Sequence, residues 1–257
     1  GAVLDRGDYL EAARHCADFI WSEMRDGQGT LKRSWRRGEA RLNAYLEDHA
    51  FLLEALITLY EASFDIEHFN RAVAVAETMI DRFADPDRGG FFATSHDHEE
   101  LIARRKDIGD HPIPSGSSSA ALGLLRLADL TGEASYRRHA MGAMALLAPA
   151  TARQPDAFGH LLQALALALN PGGELAVVWP EGSGSGSARP LIEAFRLRYR
   201  PRHVLAGGPA GSPTPALLRD RRDIEGEPAA YLCRDFSCQA PVTDGTSLSA
   251  LLDGDAA

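Results

Sequence analysis

The sequence predicts a mainly α protein: a partial (α/α)6-barrel-like array of helical hairpins over residues 1–170, followed by a small α/β segment over residues 171–257. Three observations lead there. Apolar residues recur at helical period through the first two thirds of the chain. Stretches that are apolar on most of their circumference alternate with stretches that carry a single stripe. Beyond residue 171 the apolar runs shorten to strand length.

Taken in order, DYLEAARHCADFIWSEM (8–24) places Tyr9, Ala12, Ala13, Cys16, Phe19, Ile20 and Met24 on one helical face, with Asp8 and Glu11 spaced as a capping box. DGQG breaks this helix, and TLKRSWRRGEA reads as a loop or a hairpin edge. YLEDHAFLLEALITLYEA is apolar nearly all round, as an inner helix should be, whereas HFNRAVAVAETMIDRFA keeps Phe69, Ala72, Val73, Ala76, Met79, Ile80 and Phe83 on one stripe, as an outer helix should. The alternation repeats in SSSAALGLLRLADL, SYRRHAMGAMALLA and AFGHLLQALALAL, separated by turn-forming residues. Consecutive inner and outer helices of this kind stack as antiparallel hairpins. In the last third, ELAVVW, HVLAGG and AAYLCR read as strands and ARPLIEAFRLRY as a helix, with a Gly/Ser-rich linker over residues 182–187 and a closing helix in TDGTSLSALL.

Composition excludes several partner classes. The net charge is −9 and the basic residues are interspersed with acidic ones, which leaves no stripe for a nucleic-acid backbone. No apolar run is long enough to span a bilayer, and GAVLDRGDYLE lacks the basic-then-apolar pattern of a secretory signal, so the expectation is a cytoplasmic protein without a membrane partner. Three cysteines, Cys16, Cys233 and Cys238, do not make a fully paired framework and fit a reducing compartment. The C-x4-C spacing of the last two suits two buried thiols or a facultative disulfide better than catalysis. WPEGSGSGSARP follows a strand and precedes a helix, but its spacing fails the dinucleotide fingerprint. No cofactor is expected.

Two stretches carry the polar residues from which chemistry could be built. In the apolar inner helix, Glu47 shares a face with Glu54, Thr58 and Glu61, while Asp48 shares one with Leu52, Ala55, Leu56 and Leu59. A carboxylate on an apolar stripe must be paired, hydrogen-bonded or protonated, which makes Asp48 either a general acid or base or the structural partner of backbone donors or an arginine. The second stretch is the long connection GGFFATSHDHEELIARRKDIGDHPIPSGSSS. Its His96, His98, Glu99 and Glu100 lack helical ligand spacing and predict no metal site. Arg104, Lys106, Asp107 and Asp110 precede a serine-rich helix start in which Ser115 is the N-cap, and the free N–H groups, hydroxyls and basic residues there would suit a sugar hydroxyl or an anion.

YLEDHAFLLEALITLYEA, GGFFAT, RRKDIGDHPIPSGSSSAALGLLRLA and AAYLCRDFSCQAPVTD, in that order, resemble the C-terminal part of the thioredoxin-domain-containing proteins related to spermatogenesis-associated protein twenty. The resemblance implies a helical region similar to six-hairpin glycosidases and N-acylglucosamine 2-epimerases. It also implies that a thioredoxin-like domain and the other half of the barrel precede this stretch. Position by position, the family's acidic-aromatic motif falls on Glu47, Asp48, Ala50 and Phe51, with His49 in place of Tyr. Its basic-acidic motif falls on Arg104, Lys106, Asp107, Asp110, Pro114, Ser115, Gly116 and Ser118, with His111, Pro112 and Ser117 as departures from Gly, Ala and Asn. What this implies is a site at a barrel mouth, with Asp48 and Asp110 as catalytic acid or base in sugar hydrolysis or epimerisation. Glu47, Arg104, Lys106, Asp107, Ser115 and Ser118 would hold a sugar-like small molecule. The alternative is a non-catalytic helical scaffold or binding module assisting the thioredoxin-like domain.

Overall fold

The computed structural model describes residues 1–98 and 103–254; Glu99 and Glu100 lie outside that range. The first compact unit comprises Gly1–Leu125 and Ser135–Leu165, and the second Arg126–Ala134 with the chain from Ala166 onward.

In the first unit, α1 (Gly7–Glu23) leads into a hairpin of β1 (Lys32–Arg36) and β2 (Glu39–Asn43), paired antiparallel from Lys32↔Asn43 to Arg36↔Glu39. Then come α2 (Leu46–Ser63) and α3 (Ile66–Phe83), which pack together as a helical hairpin. The joint between them has a physical basis: Phe64 ends α2 in the left-handed region at φ 57°, and Asp65 caps α3 by accepting the Glu67 N–H. α2 buries nine residues around its circumference, and α3 buries His68, Phe69, Ala72, Val75, Ala76, Met79 and Phe83 on one stripe. The remaining helices are α4 (Gly116–Thr131), α5 (Ala134–Arg153) and α6 (Gly159–Leu169).

The second unit is organised by a mixed sheet of β3 (Gly173–Trp179), β4 (His203–Pro209), β5 (Ala229–Arg234) and β6 (Ser237–Cys238), in the order β4-β3-β5-β6. All seven residues of β3 are buried, as befits a central strand. β3 and β4 run parallel through the crossover helix α7 (Arg189–Arg196), and β5 returns antiparallel to β3. The chain closes with α8 (Gly245–Gly254), which packs on α7.

This architecture overturns the expected partial (α/α)6-barrel-like array with a small α/β appendage. Among the described residues eight helices are combined with two sheets, and a four-stranded sheet organises the second unit. A β-hairpin also interrupts the helical series between α1 and α2. Helical periodicity located the helices, but it carries no information on how they stack, and the inner-outer alternation was over-read as closure of a barrel. α1 also departs from expectation. Only Ala17 is fully buried, while Tyr9, Ala12, Ala13, Cys16 and Phe19 of the expected buried face are exposed.

Candidate functional site

A cleft of about 440 Å³ opens at the start of α2, lined by Arg33, Tyr45, Glu47, Ala93, Thr94, Ala103, Arg105 and Asp107. Three backbone segments build it. The Leu46 N–H donates to Ala93 O at 3.0 Å, and the Ala93 N–H donates to Arg105 O at 2.7 Å, so residues around 45, 93 and 105 lie side by side. Arg33 reaches in from β1: its Nη1 lies 2.9 Å from Glu47 Oε1 and 3.0 Å from Asp48 Oδ2, and its guanidinium stands 4.6 Å above the Tyr45 ring. The His98 ring lies 5.1 Å from that of Tyr45, with its Nδ1 2.7 Å from Ser95 Oγ.

Asp48 is thereby accounted for. It is the N3 residue of α2, and its Oδ2 accepts the Tyr45 N–H at 2.8 Å as well as the Arg33 contact. It holds Tyr45 and Arg33 in place at the cleft wall.

The basic-acidic stretch divides by parity. Within residues 103–107 alternate residues have different surroundings: Ala103, Arg105 and Asp107 line the cleft. The intervening residues turn away. Arg104 donates to Thr94 O at 2.6 Å and Arg82 O at 3.2 Å and lies 4.1 Å above Phe92. Lys106 lies 2.7 Å from Asp85 and donates to Gly89 O at 2.6 Å. The Lys106 ammonium, with the Arg88 and Asp87 N–H groups, holds the Asp85 carboxyl down to about 2.

Asp110 stands at the meeting of two helix starts. Its Oδ1 accepts the Ser115 N–H at 2.9 Å, and its Oδ2 accepts the His160 N–H at 2.8 Å, in the first turn of α6. Ser115 caps α4 by accepting the Ser118 N–H at 3.1 Å, and its hydroxyl donates to Ser118 Oγ at 2.9 Å. Burial works to raise the Asp110 carboxyl, but the Ser115 N–H, the Ser118 hydroxyl and the N–H groups of His160 and Leu161 outweigh it. Asp110 therefore stays below the ordinary carboxylate range. Gly116 brings this arrangement against α2: a Cβ there would lie 2.9 Å from Glu47 N.

Of the residues expected at one site, the cleft therefore brings together Glu47 and Asp107. Asp48 supports its wall, Arg104 and Lys106 brace the loop beneath it, and Asp110, Ser115 and Ser118 fix helix starts. Arg33, Tyr45, Thr94 and Arg105 were missed. The charge run around Arg105 was the available signal for it; nothing local announced Arg33, which arrives from a hairpin.

Two histidines lie outside the cleft: His160, which was missed, and His49, which the sequence marked as a departure from Tyr. His160 Nε2 lies 2.9 Å from Glu54 Oε1, and that carboxylate raises its pKa. His49 is 3% exposed; its Nδ1 bonds to Tyr45 O at 2.9 Å, and burial lowers its pKa. No group of three or more His, Cys, Asp or Glu residues among the described residues is placed to hold a metal ion. No helix of the described residues is long and apolar enough to cross a membrane.

No family model matches the chain. It is 27% identical to human spermatogenesis-associated protein 20 over 267 aligned positions, which cover 98% of this chain and 34% of that protein. The mouse protein of the same name gives the same identity and coverage, and an uncharacterised protein of Caenorhabditis elegans is 26% identical over 253 positions. The chain spans about a third of the length of the curated relatives it matches. Along almost its whole length, then, it is similar to part of spermatogenesis-associated protein 20.

Proposed function

We propose that this chain is a small-molecule-binding region whose ligand is a sugar or a similar polyhydroxylated compound, held in the cleft at the start of α2. One observation carries the reading: an aromatic ring, two carboxylates and two guanidinium groups, from Tyr45, Glu47, Asp107, Arg33 and Arg105, converge on one cleft of about 440 Å³. That volume suits a small ligand. A sugar offers an apolar ring face for Tyr45 and hydroxyls that donate to carboxylates and accept from guanidinium groups. In this reading Glu47 and Asp107 are the groups available for acid-base chemistry of the hydrolytic or epimerising kind. Asp48 and Asp110 act through what they position.

The test is binding and turnover across a panel of neutral, amino and acidic sugars, with Glu47→Gln and Tyr45→Ala as variants. The reading expects saturable binding that Tyr45→Ala weakens at least roughly tenfold, as loss of a stacked aromatic contact would. Turnover that disappears in Glu47→Gln would add the catalytic step, and binding without turnover would define a binding module. No binding by any sugar would overturn the reading.

A second reading, a helical scaffold assisting a thioredoxin-like domain, is favoured by α1, whose Tyr9, Cys16 and Phe19 lie exposed. That face would be the docking surface.

A further inference from the structure

In the second unit, β5 and β6 form a tight hairpin in which Cys233 stands directly opposite Cys238 and the two are disulfide-bonded. We infer that this pair is a reversible thiol–disulfide exchange site, entered at Cys238 by an external dithiol.

The two sulfurs differ in access. Cys233 is 1% exposed on β5, whereas Cys238 is half-buried on β6, the edge strand of the sheet. Nucleophilic attack on a disulfide needs an open path to one sulfur, and only the Cys238 side offers it. The hairpin is also held by interactions that do not depend on the bond. Asp235 and Phe236 both adopt left-handed φ, at 48° and 63°, the conformation of the tightest hairpin turns. The Glu174 carboxylate accepts both of their N–H groups at 3.1 Å, and Arg221 donates to Phe236 O at 3.2 Å. A turn gripped this way keeps the two thiols opposite each other after reduction, which is what lets the bond re-form. The bond closes a short loop, so it constrains the unfolded chain less than a long-range disulfide would.

One thiolate of the dithiol attacks Cys238 Sγ, the Cys233–Cys238 bond breaks, and Cys233 leaves as a thiolate that takes up a proton. The second thiol of the reductant then attacks the mixed disulfide and releases Cys238, while the dithiol becomes a disulfide. Two electrons and two protons pass to the cysteine pair.

The hairpin tip has a further anchor that does not depend on the bond. The Phe236 ring is seated at Gly132, where an added Cβ would lie 3.2 Å from Phe236 Cζ.

The experiment uses the whole chain with Cys16→Ser, which removes the exposed third thiol. The folded protein is equilibrated in dithiothreitol redox buffers, then alkylated and weighed, with hydrogen exchange followed at Phe236. The inference expects one reversible two-electron transition without unfolding, with the Asp235 and Phe236 N–H groups still protected by Glu174 in the reduced form. With an aromatic disulfide probe, Cys238 of Cys233→Ser should react at least roughly tenfold faster than Cys233 of Cys238→Ser, following its greater access. A bond that yields only when the chain unfolds, thiols that never pair in oxidising buffer, or equal reactivity of the two cysteines would overturn it. If either serine variant fails to fold, the redox titration of the Cys16→Ser chain decides the matter alone.

Discussion

Asp110 shows how one side chain can serve two elements at once. It accepts N–H groups at the starts of α4 and α6, where each helix presents unpaired donors and the positive end of its dipole. Asp110→Ala orphans these donors together, and the expected loss is about 2–4 kcal/mol of unfolding free energy, the sum of two caps with partial burial. Asp110→Asn keeps one carbonyl oxygen and should lose less; urea denaturation of the two variants separates them. The histidines give a pH signature of opposite signs. His49 has a lowered folded pKa, so its contribution is complete above the ordinary imidazole value and is lost as the pH falls. His160 has a raised folded pKa, so the stability from its Glu54 pair is complete below the ordinary value and is lost as the pH rises through the raised one. Denaturation midpoints measured between about pH 5 and 8 should decline on both sides, and His160→Gln should flatten the alkaline decline alone. The sequence named Asp110 and Ser115 because a serine-rich helix start is a local signal. It was silent on His160 and Glu54, which lie 106 positions apart and meet only through packing.

At the scale of elements, the contact between α2 and α4 rests on glycine. Gly116 and Gly123 lie seven residues apart on one face of α4, and a Cβ at Gly123 would come within 2.9 Å of Leu53 Cδ2. Gly123→Val should therefore cost about 1–3 kcal/mol through overpacking, read as a lowered thermal midpoint. Gly116→Ala should disturb the cleft as well, since its Cβ would press on the backbone of Glu47. The helices and strands themselves were legible, because period and turn residues act locally. The orientation of α1 was not: its apolar stripe was clear, but the face that packs is chosen by neighbours, and the structure buries Ala17. The same limit applies to residues 103–107. Their charges made them candidates, and only the structure shows that Arg105 and Asp107 line the cleft while Arg104 and Lys106 serve the loop.

For the molecule as a whole, the fold class was the least legible level. Each inner and outer helix carried a pattern compatible with stacked hairpins, yet the chain inserts the β1–β2 hairpin and builds a four-stranded mixed sheet. The inserted hairpin also bears on the proposed site, because it delivers Arg33 to Glu47, Asp48 and Tyr45. The central claim is that this convergence is a ligand site for polyhydroxylated small molecules. The most direct test is a two-dimensional NMR titration of the intact chain with the sugar panel. The account predicts saturable shifts clustered at Tyr45, Glu47, Thr94, Arg105 and Asp107, lost in Tyr45→Ala and retained in a variant of an exposed residue that does not line the cleft, such as Tyr199→Ala. A folded chain whose spectrum no sugar changes, or shifts that cluster away from these residues, would contradict it.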